Sequence, residues 1–148
     1  MANIDFAALS GNARVSAVLH QMIQVKLADK ADRAAPPTLF VNTHFDHKGP
    51  EARRESAALL RRRIAELGEG CRIVVTGDFN AGEGTPPYEA LFAADGKAPA
   101  TLVDTFRAAV PERGAAGPEG TFTGFDARNT DGERIDWIGC SRDFRVVA

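Results

Sequence analysis

The sequence predicts a single-domain α/β protein. Two short runs of aliphatic and aromatic residues, 39–41 and 73–75, each end in polar residues, and a long amphipathic segment lies between them. Such alternation of strand and helix is typical of a sheet with helices packed against it. The 148 residues suffice for one domain with a core, and they contain no internal repeat and no linker.

The N-terminal part has the weakest pattern. Apolar residues recur at helical spacing from Asn12 to Met22, whereas residues 23–27 alternate between apolar and polar, as in a strand. We predict a strand over 23–27 and a loop over 28–37. The run at 39–41 is predicted to be the next strand.

A helix is predicted from about Glu51 to Leu67. Pro50 suits its first turn, Glu51 lies near the positive end of the helix dipole, and Gly68 supplies the stop. The apolar face consists of Ala57, Leu60, Ile64 and Leu67. The arginines of this segment are assigned to a solvated face.

The rest of the chain is predicted to contain shorter elements. We expect a short helix over 86–92, a short element from 102, a loop over 112–120, a polar loop over 126–133, and strands over 121–125, 134–138 and 143–148. Asp136 interrupts the apolar residues of one of these strands. A carboxylate buried there would be costly without a partner.

Composition excludes several classes of protein. The net charge of −2 and the pI of about 5.9 give no general attraction to a polyanion, so binding of long nucleic acid is not favoured, although a local basic patch stays open. Cys71 and Cys140 have no CxxC partner, so we expect buried thiols. No apolar run could span a membrane, and no charged leader precedes an apolar block, so a soluble chain of unassigned compartment is predicted.

Polar side chains follow three of the predicted strands. They are His44 with Asp46, Asp78 with Asn80, and Asp136. Ligands of α/β proteins collect at strand ends. A carboxylate beside an amide, two apart in an extended segment, suits metal-assisted hydrolysis of a phosphate ester. The structural alternatives stay open: the second pair forms a local turn, and Asp46 braces the loop before the helix.

Four motifs resemble the endonuclease/exonuclease/phosphatase family, which includes deoxyribonuclease I. They are Asn-Thr-His-Phe-Asp-His at 42–47, Gly-Asp-Phe-Asn at 77–80, Thr-Phe-Thr-Gly at 121–124 and Arg-Ile-Asp-Trp-Ile at 134–138, in the order of the family. The resemblance extends from about Arg14 to Ala148. It implies a four-layer αββα sandwich, of which this chain, an apparently truncated domain spanning 1–148, would supply mainly one half.

The resemblance also implies roles for individual residues. His44 would donate a hydrogen bond to the scissile phosphate, and Asn80 would bind a phosphate oxygen. Asp78 would position the attacking water or hold the metal ion, and Asp136 would orient a histidine from a later segment. The implied ion is Mg²⁺, with Mn²⁺ as the alternative.

The sequence also departs from the family pattern. An asparagine and a metal-binding glutamate are expected before His44, and a Ser-Asp-His segment after Asp136; neither is found. We therefore expect an incomplete Mg²⁺-dependent phosphoesterase with little activity alone, whose uncovered sheet face favours self-association. The alternative is a non-catalytic domain that binds a phosphorylated ligand or a partner protein. The sequence does not identify the ester.

Overall fold

A computed structural model describes residues 22–93, 102–112, 118–126, 128–129 and 132–147. The helical pattern between Asn12 and Met22 lies almost entirely outside the described residues. The elements are β1 (Ile23–Leu27), β2 (Thr38–His44), α1 (Pro50–Leu67), β3 (Arg72–Asp78), α2 (Pro86–Phe92), β4 (Val103–Asp104), α3 (Thr105–Ala109) and β5 (Asp136–Cys140). The strands form one mixed sheet in the order β1-β2-β3-β5-β4.

The centre of the sheet is a parallel pair joined by a helix. β2 and β3 run parallel, with Leu39 opposite Ile73 and His44 opposite Asp78, and α1 makes the crossover between them. β1 and β5 flank this pair in antiparallel orientation. The predicted α/β class is therefore confirmed, and the carboxyl ends of β2 and β3 meet at one edge.

Helix α1 agrees with the prediction. It begins at Pro50 and buries Ala57, Leu60 and Ile64 against the sheet. It ends at Leu67, where the amide of Gly68 donates to Ile64 O at 2.8 Å. Pro50, Gly68 and the spacing of the apolar residues were together sufficient to predict its bounds.

The two faces of the sheet differ in burial. Leu39, Val41, Val75 and Trp137 lie on one face and are buried with α1 and α2 in the core. The opposite face carries exposed apolar side chains: Ile23 is 65% exposed, Leu27 53% and Ile138 52%. Among the described residues, helices α1 and α2 cover one face only, which is the expected half of the sandwich.

Two predicted strands are wrong. Residues 121–125 form a bend and a turn instead, because the amides of Thr121 and Phe122 both donate to Glu133 O and Gly124 has a φ of 63°. Residues 141–147 also lack a strand, since the amide of Phe144 turns back to Ser141 O at 3.1 Å. In the first place a distant carbonyl, and in the second a local turn, takes backbone amides that a neighbouring strand would need.

A third predicted strand is shifted. The strand expected over 134–138 runs from Asp136 to Cys140. Arg134 stays outside because its carbonyl oxygen accepts a hydrogen bond from the indole Nε1 of Trp137 at 3.0 Å.

Candidate functional site

Three of the predicted site residues form one row across the sheet. His44 ends β2, Asp78 ends β3 and Asp136 begins β5, and the register sets each opposite its neighbour. The His44 Nε2 lies 3.5 Å from Asp78 Oδ2. All three side chains therefore project from the same end and the same face of the sheet.

A buried aromatic residue anchors the middle of this row. Phe79 is 1% exposed and stacks on Trp137 with 4.4 Å between ring centroids, while Phe45 meets it edge-on at 4.9 Å. These contacts fix the backbone between Asp78 and Asn80. The two polar residues therefore flank a side chain that is locked in the core.

Asn80 differs from the expected geometry. The segment is not extended at this residue, because Asn80 has a φ of 48°, a conformation that asparagine adopts more readily than most residues. Its backbone N–H donates to Asp78 Oδ1 at 2.9 Å, and its side-chain Nδ2 donates to the backbone carbonyl oxygen of Phe45 at 2.9 Å. Asn80 is thus held beside Asp78 by a turn, and its second Nδ2–H has no partner among the described residues.

Asp46 contributes to the loop that precedes α1. Its Oδ1 accepts a hydrogen bond from the Lys48 amide at 2.9 Å, which lowers the pKa of Asp46 below its ordinary value. Arg53 donates from Nη1 to the carbonyl oxygen of Asp46 at 3.1 Å. These hydrogen bonds support the structural alternative, in which Asp46 stabilises the loop before α1.

Asp136 is exposed. The desolvation cost expected for a carboxylate within this strand is therefore absent, because its side chain lies on the uncovered face of the sheet. Among the residues that the structure describes, no side chain or amide bonds to the Asp136 carboxylate. Its orientation depends on the backbone that carries it.

A second group of side chains, two arginines with their carboxylate partners, forms a buried network of ion pairs. The Arg134 guanidinium donates from Nε to Glu83 at 3.0 Å and from Nη2 to Asp104, while Arg107 donates to Glu83 at 2.9 Å. Burial alone would raise the pKa of Glu83, but hydrogen bonds from Arg107 and Arg134 outweigh it and hold that pKa below 4.5. Burial, followed by the hydrogen bond from its hydroxyl to Asp104, raises the pKa of Tyr88.

The sequence reasoning missed this network. Glu83 follows Asn80 by three residues and Arg134 precedes Asp136 by two, so the ion pair ties the loop after one site residue to the segment before another. A signal was present, since Arg134 stands directly before an apolar strand and a buried guanidinium needs a carboxylate partner. The sequence did not reveal that the partner would be Glu83.

A cavity of about 360 Å³ opens beside Asn80. It lies between the first turns of α1 and α2 and is lined by charged as well as apolar side chains, among them Glu51, Arg53, Arg54 and Glu133. Asn80 lines this cavity, but His44, Asp78 and Asp136 do not.

A complete metal centre is not formed by the part of the chain that the structure describes. No group of three or more His, Cys, Asp or Glu side chains there is arranged to hold a metal ion. Asp78, with a side chain 34% exposed, still offers the oxygen donors that Mg²⁺ prefers. In the same described ranges, no helix is long and apolar enough to cross a membrane.

The mixed sheet and the polar row at its edge define an α/β protein of the deoxyribonuclease I-like type. The sequence profile of the endonuclease/exonuclease/phosphatase family matches residues 3–148. The chain belongs to this family, whose members are hydrolases acting on phosphate esters. No curated protein matches it by sequence.

Solved structures agree with this assignment. A mannosyl-6-phosphatase of Bacteroides thetaiotaomicron is 31% identical, with a TM-score of 0.57 over 74% of this chain and 39% of that protein. A family protein of the same organism is 29% identical, with a TM-score of 0.63 over 82% and 41%. One from Bacteroides vulgatus is 35% identical, with a TM-score of 0.62 over 82% and 43%. The chain therefore spans less than half the length of each.

Proposed function

We propose that this chain is part of a Mg²⁺-dependent hydrolase of phosphate esters. The observation that carries the proposal is the row of His44, Asp78 and Asp136, with Asn80 hydrogen-bonded to Asp78. Imidazole and amide N–H groups stabilise charge on phosphate oxygens, and carboxylates orient water or bind cations. The row brings both kinds of group to one edge of the sheet.

The proposal assigns a role to each of the four residues, and two roles to Asp78. His44 donates from its imidazole to a phosphate oxygen on which charge develops, and the second Nδ2–H of Asn80 binds another phosphate oxygen. Asp78 orients the attacking water, and Asp136 orients a histidine. Mg²⁺, or Mn²⁺ in its place, would be held by Asp78 and would neutralise charge on the phosphate.

The choice of ester is also part of the proposal. The mannosyl-6-phosphatase among the similar structures favours a small phosphomonoester. The net charge of −2 gives no support to long nucleic acid as a substrate. Short phosphodiesters stay open as substrates, so they are tested alongside monoesters.

The proposal is tested by titrating the ¹⁵N-labelled chain with Mg²⁺ and inorganic phosphate. We expect amide shifts centred on Asp78 and Asn80, and an affinity for Mg²⁺ that falls about tenfold or more in Asp78→Asn, because a ligand oxygen becomes an amide. Asp143→Asn is the matched control. Asp143 pairs with Arg72 at the opposite end of β3 and should leave Mg²⁺ binding unchanged.

The outcomes separate the alternatives. Phosphate binding that is independent of Mg²⁺ and of Asp78 would favour a non-catalytic domain that recognises a phosphorylated ligand. The proposed site would be contradicted if the wild-type chain showed no amide shifts with Mg²⁺, or if Asp78→Asn and Asp143→Asn bound Mg²⁺ equally well.

Turnover by this chain alone is expected to stay close to background. The assay compares p-nitrophenyl phosphate with bis-p-nitrophenyl phosphate, with and without Mg²⁺. The expectation follows because hydrolytic groups act as a unit and the described residues supply only part of a metal site. Rapid Mg²⁺-dependent hydrolysis that is lost in Asp78→Asn would contradict low activity while supporting the role of Asp78.

We also propose that the chain self-associates through the exposed apolar sheet face. Sedimentation velocity should show oligomers that grow with concentration and that Val25→Lys disperses, because Val25 lies on this face and is 43% exposed. Gln24→Lys places the same charge on the other face of β1 and should leave association intact. A chain that stays monomeric at every concentration would contradict the proposal.

A further inference from the structure

The outer edge of β5 has few strand partners. β4 pairs with β5 only at Gly139 and Cys140, because β4 is two residues long. At the start of β5, the amides of Ile135 and Asp136 instead donate to one acceptor, the hydroxyl oxygen of Thr121, at 3.0 and 3.1 Å. This hydroxyl takes the place of a neighbouring strand where the row of site residues begins.

Thr121 is itself held firmly. Its amide donates to Glu133 O at 3.1 Å, and the chain on either side approaches residues 132–133 backbone to backbone. A Cβ on Gly120 would lie 2.1 Å from Gly132 O, and one on Gly132 would lie 1.8 Å from Phe122 O. Only glycine allows this approach. The close packing of residues 120–122 against residues 132–133 therefore holds the Thr121 hydroxyl next to the start of β5.

The Ile135–Asp136 peptide group is held from both sides. Its carbonyl oxygen accepts a hydrogen bond from the amide of Phe79 at 2.9 Å, and its N–H donates to Thr121. Phe79 stands between Asp78 and Asn80. The same peptide group therefore links the backbone of the Asp78–Asn80 segment to the backbone of Asp136.

We infer that Thr121 is a positioning residue that sets the place and direction of the Asp136 Cα–Cβ bond relative to Asp78. The inference rests on the proposed function, because it assigns Asp136 to the active site. No hydrogen bond or ion pair to a described residue restrains the Asp136 carboxylate, so its reach depends on the backbone position that Thr121 holds. The inference also gives a role to the Thr-Phe-Thr-Gly motif at 121–124.

The test compares three variants by NMR. Thr121→Val keeps the side-chain shape and removes the acceptor, whereas Thr121→Ser keeps the hydroxyl. Thr123→Val makes the same change two residues away, where the hydroxyl has no hydrogen-bond partner among the described residues. Amide hydrogen exchange and residual dipolar couplings report on Asp136, and titration with Mg²⁺ and inorganic phosphate reports on the site.

We expect the Asp136 amide of Thr121→Val to exchange about tenfold faster than in the wild type, with altered couplings confined to residues 135–136. The affinity for Mg²⁺ should fall about threefold to tenfold, because Asp136 lies opposite Asp78 and its negative charge would no longer be held at the same place beside the ion. Thr121→Ser should restore both values, and Thr123→Val should change neither. The restoration by serine separates a hydroxyl function from a general loss of packing.

The inference is overturned if Thr121→Val leaves exchange and couplings at Asp136 unchanged. It is equally overturned if these change while the affinity for Mg²⁺ stays at the wild-type value. A wild-type chain that fails to bind phosphate with Mg²⁺ would refute the proposed function, and with it the assignment of Thr121 to an active site. In that case the couplings still decide whether Thr121 orients Asp136, so the two failures are distinguishable.

Discussion

Arg134→Met is expected to lower the free energy of unfolding by about 3–5 kcal/mol, among the largest effects of a single substitution in this chain. The Arg134 side chain is 7% exposed, and its guanidinium pairs with Glu83, 12% exposed, and with Asp104, 4% exposed. Methionine fills much of the volume but leaves these carboxylates without that partner in a poorly solvated place. Urea denaturation, analysed for midpoint and slope, measures the change.

Arg128→Met is the matched control for this prediction. Arg128 also pairs with an aspartate, Asp126, but its side chain is 92% exposed, so the loss of stability should be far smaller than in Arg134→Met. Equal losses in the two variants would show that burial does not strengthen the dependence of Glu83 and Asp104 on Arg134.

The same network predicts sensitivity to acid. Because the pKa of Glu83 is lower in the folded chain than its ordinary value of 4.5, Glu83 stabilises the fold above that pH. This stabilisation is lost progressively as the pH falls from about 4.5 through the folded pKa. Glu83→Gln should therefore unfold with a weaker dependence on pH in this range, and an unchanged dependence would contradict the assignment.

Gly77→Ala is expected to destabilise the fold by more than about 3 kcal/mol. A Cβ on Gly77 would lie 2.0 Å from the carbonyl oxygen of Thr43 in the neighbouring strand, and backbone cannot move aside as a flexible side chain can. β2 and β3 would have to separate next to His44 and Asp78. Thermal unfolding measures the loss, and NMR shifts of His44 report the separation.

Gly70→Ala separates this clash from the general cost of replacing glycine. Gly70 has a φ of 68°, and no atom lies within 4 Å of the position that a Cβ would occupy, so alanine there meets conformational strain alone, about 1–2 kcal/mol. If Gly77→Ala proved no more destabilising than Gly70→Ala, close strand contact would not be the reason for glycine in the Gly-Asp-Phe-Asn motif.

Local patterns were sufficient to predict several of the regular elements. The apolar periodicity of α1 and the alternation of residues 23–27 both correspond to elements of the structure. Glycine often ends a strand, yet Gly77 lies inside β3, because its lack of a side chain permits close pairing with Thr43. Propensity alone cannot distinguish these two uses of glycine.

The sequence by itself determined the class of fold, the family and the order in which the polar motifs follow the strands, because these depend on local periodicity and on short motifs. Tertiary structure alone decided that His44, Asp78 and Asp136 share one row, since strand register is a property of paired segments far apart in the chain. It also decided the partners of Arg134 and Thr121. Such hydrogen bonds join residues whose separation in sequence carries no information about their distance in space.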